Sequence, residues 1–200
     1  AADASTTLAR SLRDTGFAVL ANHPITPDRI TEIYDGWGDF FAGKDKFDYA
    51  VQPPAHDGYF AFRSENAKDS PVKDLKEFFH VYPGCGLPAE LTEMTRRIYA
   101  DLNALGCELL AWIQAEAPAS LTESLSMPLD TMMDDSEQSL LRILHYPPVS
   151  DAEPGAIRAA AHEDINLITL LLSGSKPGLQ AQDAHGNWHD VACDAGMITI

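Results

Sequence analysis

Apolar residues recur at helical spacing through the first two-thirds of the chain and at strand-length intervals after it. Leu8 and Leu12 mark one face of a first helix, with Ser5 expected as its cap and Gly16 as its end. Phe17 to Leu20 reads as a short buried strand, closed by Asn22-His23-Pro24 with His23 packed in the loop. Thr26 and Pro27 open a second helix, whose Ile30, Ile33, Tyr34, Trp37, Phe40 and Phe41 form a stripe wide enough to back a sheet. The pattern then weakens. Val51 to Pro54 is loop, Gly58 to Phe62 a strand or ordered lid, and Arg63, Glu65, Lys68 and Asp69 a solvated surface. Asp74 to Val81 leads inward as a strand or short helix, with His80 among apolar neighbours. A long helix from Pro88 to Ala117 shows Leu91, Met94, Ile98, Leu102, Leu105, Leu109 and Trp112 on one face. Leu121 to Met127 adds a short helix and Pro128 to Ser139 an acidic connector.

From Leu140 the segments shorten. Leu140–Tyr146, Ile157–Asp164, Leu167–Leu172, Gly178–Gln182, Trp188–Val191 and Met197–Ile200 read as strands. Between them lie a loop at 149–155 and turn chemistry at Ser173-Gly174-Ser175 and His185-Gly186-Asn187. Helices first and strands afterwards predict an α+β fold, a double-stranded β-helix (jelly roll) core backed by N-terminal helices. Residues 1–139 supply the helical region and connector, and 140–200 the first part of the core, within one structural domain.

Composition narrows the function. Lys and Arg number 14 against 30 Asp and Glu, and a net charge of −16 disfavours nucleic acid or anionic membrane as partner. It also means that an anionic ligand needs a concentrated cationic clamp. No apolar run is long enough to span a bilayer, and no leader opens the chain. Cys85, Cys107 and Cys193, an odd number without metal-ligand spacing, suit a reduced cytoplasmic setting.

The candidate chemistry lies in His162-Glu163-Asp164, ahead of the apolar run Ile165 to Leu172. On a strand, residues two apart share a face, so His162 and Asp164 present an imidazole and a carboxylate side by side. That is two-thirds of a two-His-one-carboxylate facial triad for non-haem iron, with Asn166 and Leu170 continuing the same face. His-x-Asp arises by chance about as often as it occurs here, so its context decides. RILHYPP, AHEDINLITLLL, GLQ and DAHGNWHDV, with DTGFAVLANHPI and GYFAFRSENAKDSPVKDLKEFFHV upstream, resemble the isopenicillin-N-synthase-like branch of the Fe(II)/2-oxoglutarate-dependent oxygenases.

The resemblance implies Fe(II), 2-oxoglutarate and O2, held by His162 and Asp164, in an oxidoreductase acting on a small molecule, with hydroxylation as the default outcome. It places Tyr146 on the 2-oxoglutarate carboxylate, with a core tyrosine bonded to backbone as the other reading, and offers Arg63 at the mouth of the site as a substrate contact. Strand alternation sets Arg142 beside Tyr146, four residues earlier on the same face, Asn166 behind the Asp164 carboxylate and Leu170 as a wall of the cavity, while His80 is a core histidine or a pocket residue. Leu144 stands where family members often carry Asn. The second ligand histidine and an Arg-x-Ser clamp are expected beyond Ile200; the chain opens without Met and stops within the strand-like MITI, so both ends are expected to continue. His185 and His189 are read as turn and hairpin residues, not as the missing ligand. Two other readings stay open: an isopenicillin-N-synthase-type oxidase that uses no 2-oxoglutarate, and a jelly-roll binding protein that has lost its metal.

Overall fold

The aromatic stripe of the second helix is the surface on which a three-stranded sheet rests. The computed structural model describes residues 4–65, 72–150, 156–183, 185–191, 194 and 196–200. Lys68, Asp69, Cys193 and the loop at 151–155 lie outside them. In chain order the elements are α1 (Ala4–Thr15), β1 (Val19–Leu20), α2 (Pro27–Ala42), β2 (Gly58–Phe60), β3 (Glu77–Val81), α3 (Thr92–Glu116), α4 (Ala119–Thr122), β4 (Leu141–His145), β5 (Leu171–Leu172), β6 (Gln180–Gln182), β7 (Trp188–Asp190) and β8 (Ile198–Thr199). Short 3-10 turns at Asp45–Tyr49, Ala89–Leu91 and Leu129–Met133 join them. The fold is α+β. Among the described residues no helix is long and apolar enough to cross a membrane.

The chain divides into two compact units, to both of which α2 and α3 contribute. One comprises Ala1–Tyr34, Arg96–Ser136 and Asn166–Ile200. Its sheet has the order β1-β8-β5, all antiparallel, with Val19 and Leu171 both opposite Thr199. Leu8, Ile25, Ile30, Ile98, Leu109, Leu110 and Ile198 are buried in it. Ser5 is not the cap of α1, which begins one residue earlier: its hydroxyl donates to Glu116 Oε1 at 3.0 Å, beside that of Thr6 at 2.9 Å. Gly16 does end α1, at φ +78° with its N–H on the Leu12 carbonyl. β6 and β7 form a hairpin around Asp183, whose Oδ1 accepts the His185 and Asn187 N–H groups at 2.9 Å. Oδ2 takes His189 Nε2 at 2.9 Å and Asn187 Nδ2 at 3.1 Å. His189, then the Asn187 contacts, hold this carboxyl well below the usual range. Both histidines are therefore hairpin residues, as expected from the turn sequence.

The other unit comprises Asp35–Thr95 and Glu137–Ile165. Its sheet runs β2-β3-β4, antiparallel, and every residue of the central β3 is buried. Alternation separates two faces. Glu77, Phe79 and Val81 look toward α2, where Phe79 lies 4.9 Å from the Trp37 ring and 5.8 Å from Phe40. His145 stacks on Phe41 at 5.1 Å, and Trp37 Nε1 donates to Thr95 Oγ1 at 3.0 Å. Packed rings of this kind give a core its large buried area and its fixed geometry. Gly58 starts β2 at φ +107°, and a Cβ there would meet the Tyr49 carbonyl oxygen at 2.7 Å, so only glycine lets the strand begin here.

A carboxylate lies within this apolar layer. Glu77, 3% exposed, accepts from Tyr59 Oη at 2.5 Å, His145 Nδ1 at 2.7 Å and Lys46 Nζ at 2.9 Å. Burial pushes its pKa up, but Tyr59, His145 and Lys46 together outweigh it and hold the group ionised. Burial and this carboxylate in turn raise the Tyr59 phenol.

Candidate metal centre

The opposite face of β3 carries Phe78 and His80, paired across the ladders with Phe60 and Gly58 on β2 and with Leu144 and Arg142 on β4. Phe60 stacks on Phe78 at 4.6 Å, and the Arg142 guanidinium sits 4.9 Å over the Phe78 ring. Arg142 Nε donates to His80 Nε2 at 2.9 Å, and Nη1 lies 3.5 Å from Glu65 Oε2. His80 Nδ1–H then donates to the His56 carbonyl at 3.0 Å. Burial, and next the Arg142 charge, lower the His80 pKa to about 4. This histidine is a neutral brace for Arg142.

The His80 shift has a stability consequence. Its folded pKa lies below the ordinary 6.5, so between those values the unfolded chain binds the extra proton. Stability from this group is complete above pH ~6.5 and is lost as pH falls toward ~4, by about 3 kcal/mol at most. Urea unfolding across that window should show this slope in the native protein and lose it in His80→Gln. Equal slopes would assign the acid lability to other groups.

Just before β3, Lys76 continues the Phe78 face. Its Nζ binds Asp74 Oδ2 at 2.9 Å and Glu65 Oε2 at 3.0 Å, and both Lys76 and Asp74 are buried. Burial pulls the Lys76 pKa down, but the bonds to Asp74 and Glu65 prevail and raise it. Tyr146 follows β4, half-buried, its phenol raised chiefly by burial and so protonated at neutral pH. Among the described residues its hydroxyl has no hydrogen-bond partner; its carbonyl accepts from Arg158 Nη1 at 3.2 Å.

His162 and Asp164 are brought together. Nε2 of His162 stands 3.6 Å from Oδ1 of Asp164, with the two side chains 56% and 47% exposed. His162 Nδ1–H donates to the Ala160 carbonyl at 2.8 Å, which leaves Nε2 as the lone-pair nitrogen on the side of Asp164. The segment that bears them forms no ladder, contrary to the strand read over Ile157–Asp164; of Leu167–Leu172 only β5 pairs. A strand exists only through a run of ladder bonds to a neighbour, and among the described residues this segment makes only isolated ones, such as the Leu75 N–H on the Ile157 carbonyl. Residues 161–165 are all exposed, including Ile165.

The remaining candidates make contacts of their own. Arg63, at φ +61°, lays its guanidinium 5.5 Å over the Phe62 ring and donates its backbone N–H to the Lys76 carbonyl. Asn166 exchanges hydrogen bonds with Thr169 at 3.0 and 3.2 Å, and Leu170 adjoins Gly106. Both belong to the first unit. Among the described residues no group of three or more His, Cys, Asp or Glu side chains converges as a metal site.

Comparison with known proteins settles the family. The profile of the N-terminal region of non-haem dioxygenases in morphine synthesis matches residues 1–97, and that of the 2OG-Fe(II) oxygenase superfamily matches residues 137–200. The structure of an oxygenase from Shewanella oneidensis superposes with a TM-score of 0.88 at 44% identity, over 100% of this chain and 72% of that one. The chain belongs to the 2OG-Fe(II) oxygenase superfamily. One similar protein is proline hydroxylase buaE of Petromyces alliaceus, 31% identical over 92% of this chain and 63% of its own length. Another is Neurospora crassa T7H, solved with alpha-KG, at 26% identity and a TM-score of 0.78, over 98% of this chain and 65% of that one. The chain thus spans just under two-thirds of the length of the curated relative. Fe(II) and 2-oxoglutarate are the metal and co-substrate from which the superfamily takes its name.

The donors present fit that metal as far as they go. Imidazole nitrogen and carboxylate oxygen bind first-row divalent ions at about 2.0–2.2 Å, so two adjacent octahedral donors stand about 3 Å apart. The 3.6 Å pair needs only a small inward rotation of two exposed side chains to share an ion. What reading the sequence missed is the buried Asp74-Lys76 pair and the Glu77 cluster. The signal was present in DLKEFF, where charges alternate with residues that the neighbouring aromatics mark as core.

Proposed function

We propose that this chain carries the metal-binding part of an Fe(II)/2-oxoglutarate dioxygenase that oxidises a small molecule, with hydroxylation as the default reaction. The observation that carries this reading is the His162–Asp164 pair, its imidazole tautomer set by Ala160, on a segment whose donors face outward. His162 and Asp164 are two protein ligands of the metal, and a third donor comes from outside the described residues. The bound metal supplies oxygen activation coupled to decarboxylation of 2-oxoglutarate. Residues 140–200 contribute the opening strands of a jelly-roll core, and the net charge of −16 makes cationic groups near the site valuable.

Within this reading Tyr146, a protonated phenol, donates to the 2-oxoglutarate carboxylate, and Arg142, held in one orientation by His80, supplies positive charge on the same face of β4. Asn166, Arg63 and Leu170 are assigned to the support of Asp164 and to the substrate pocket. T7H bound to alpha-KG favours a 2-oxoglutarate enzyme over an oxidase that dispenses with it. The protein is assigned to the cytoplasm.

Anaerobic titration of the protein with Fe(II) and then 2-oxoglutarate tests the proposal. A visible charge-transfer band that saturates with 2-oxoglutarate is expected; its absence, with no succinate formed in air, would overturn it. In the same titration Tyr146→Phe should weaken 2-oxoglutarate binding about tenfold, the worth of one hydrogen bond to a charged group. Unchanged affinity would return Tyr146 to the core.

A further inference from the structure

We propose that Asp74, held by Lys76, is a positioning residue for the metal: it grips Ala160 and through it sets the His162 imidazole. The inference rests on the reading of His162 as a ligand. Asp74 is 3% exposed and uses its two oxygens for different tasks. Oδ2 takes the Lys76 ammonium at 2.9 Å, while Oδ1 accepts the Ala160 N–H at 3.2 Å. Ala160 then turns its carbonyl to His162 Nδ1–H at 2.8 Å. The next residue of the same anchor repeats the hold, with the Leu75 N–H on the Ile157 carbonyl at 3.0 Å. Lys76 is fixed in turn by Glu65 at 3.0 Å.

Among the described residues, 156–165 join no sheet, and 161–165 are exposed, so neither a described ladder nor packing sets the direction of the ligand-bearing backbone. A buried, charge-fixed acceptor on a central-strand anchor does. Metal ligands keep their angle through such partners, whose loss costs about 10–100-fold in metal affinity. A buried ion pair with only a structural role behaves differently, because apolar side chains of similar volume replace it without such loss.

Two double variants separate the roles. Asp74→Leu with Lys76→Met removes the acceptor and leaves no buried charge. Asp74→Asn with Lys76→Met removes the charges but keeps an oxygen for the Ala160 N–H. Fe(II) binding is measured anaerobically by equilibrium dialysis, with the visible spectrum of bound Co(II) as a report on ligand geometry. The first double should bind Fe(II) about 10–100-fold more weakly with an altered Co(II) spectrum, and the second should stay within about threefold of the native protein. Ala160→Pro, which deletes the N–H while the Asp74-Lys76 pair stays intact, should reproduce the loss even if the first double fails to fold. Native affinity in the first double or in Ala160→Pro would overturn the inference, as would equal losses in the two doubles. His162→Ala, run alongside, keeps the two failures apart. Native affinity there sinks the ligand reading itself, whereas its loss beside a native-like first double sinks only the positioning role.

Discussion

His162→Ala should lose Fe(II) affinity by more than about a hundredfold, beyond the cost of disturbing an outer partner, while its unfolding free energy changes by less than about 0.5 kcal/mol. The two halves of this expectation have one cause. The imidazole is 56% exposed, and among the described residues it is tied by a single hydrogen bond to Ala160 besides the Asp164 contact, so removing it leaves no cavity. Asp164→Ala, whose side chain is 47% exposed, should likewise lose Fe(II) affinity by more than about a hundredfold. Anaerobic dialysis against Fe(II), paired with urea unfolding of the metal-free protein, measures both. Iron retained at native affinity in either variant would remove the pair from the metal site.

The second large effect falls on stability alone. Glu77→Ala should cost about 3–5 kcal/mol, the range for breaking a buried ion pair from one side. Glu77 is 3% exposed, and its loss strands the Lys46 ammonium, whose side chain is only 14% exposed. The Tyr59 hydroxyl and the His145 imidazole lose their acceptor with it. Replacing both ions, Glu77→Leu with Lys46→Met, should cost clearly less than Glu77→Ala, because no charge is left uncompensated. Urea midpoints of the three proteins decide. A shift under about 1 kcal/mol in Glu77→Ala would mean that water reaches the cluster.

These two sites differ in how far the sequence discloses them. The closeness of His162 and Asp164 is legible from a spacing of two, but that spacing is no rarer than chance, and what marks the pair as a candidate is the run of motifs around it, from RILHYPP to DAHGNWHDV. The stripe Trp37, Phe40 and Phe41 is legible because 3.6-residue periodicity is written along one helix. Ser5 is not, because its partner Glu116 is 111 residues away, and a cap looks as good locally as a tertiary bond. The stretch with Asp74, Lys76 and Glu77 reads as leading inward, but which partners meet its charges is invisible until β2 and β4 flank β3. The strand read over Ile157–Asp164 errs in the opposite sense: its length suits a strand, but pairing is a property of two segments, and only one is visible in any stretch of sequence.

The two faces of β3 bear on how the sheet chooses its alignment. Acid on one side and base on the other means that sliding β3 by a single position would turn Glu77 away from Lys46 and Tyr59 and carry Lys76 and His80 away from Glu65 and Arg142. A purely aliphatic strand would tolerate such a slip at the cost of some contact area. Here every misalignment isolates charge in two places at once, so the strand has one seat.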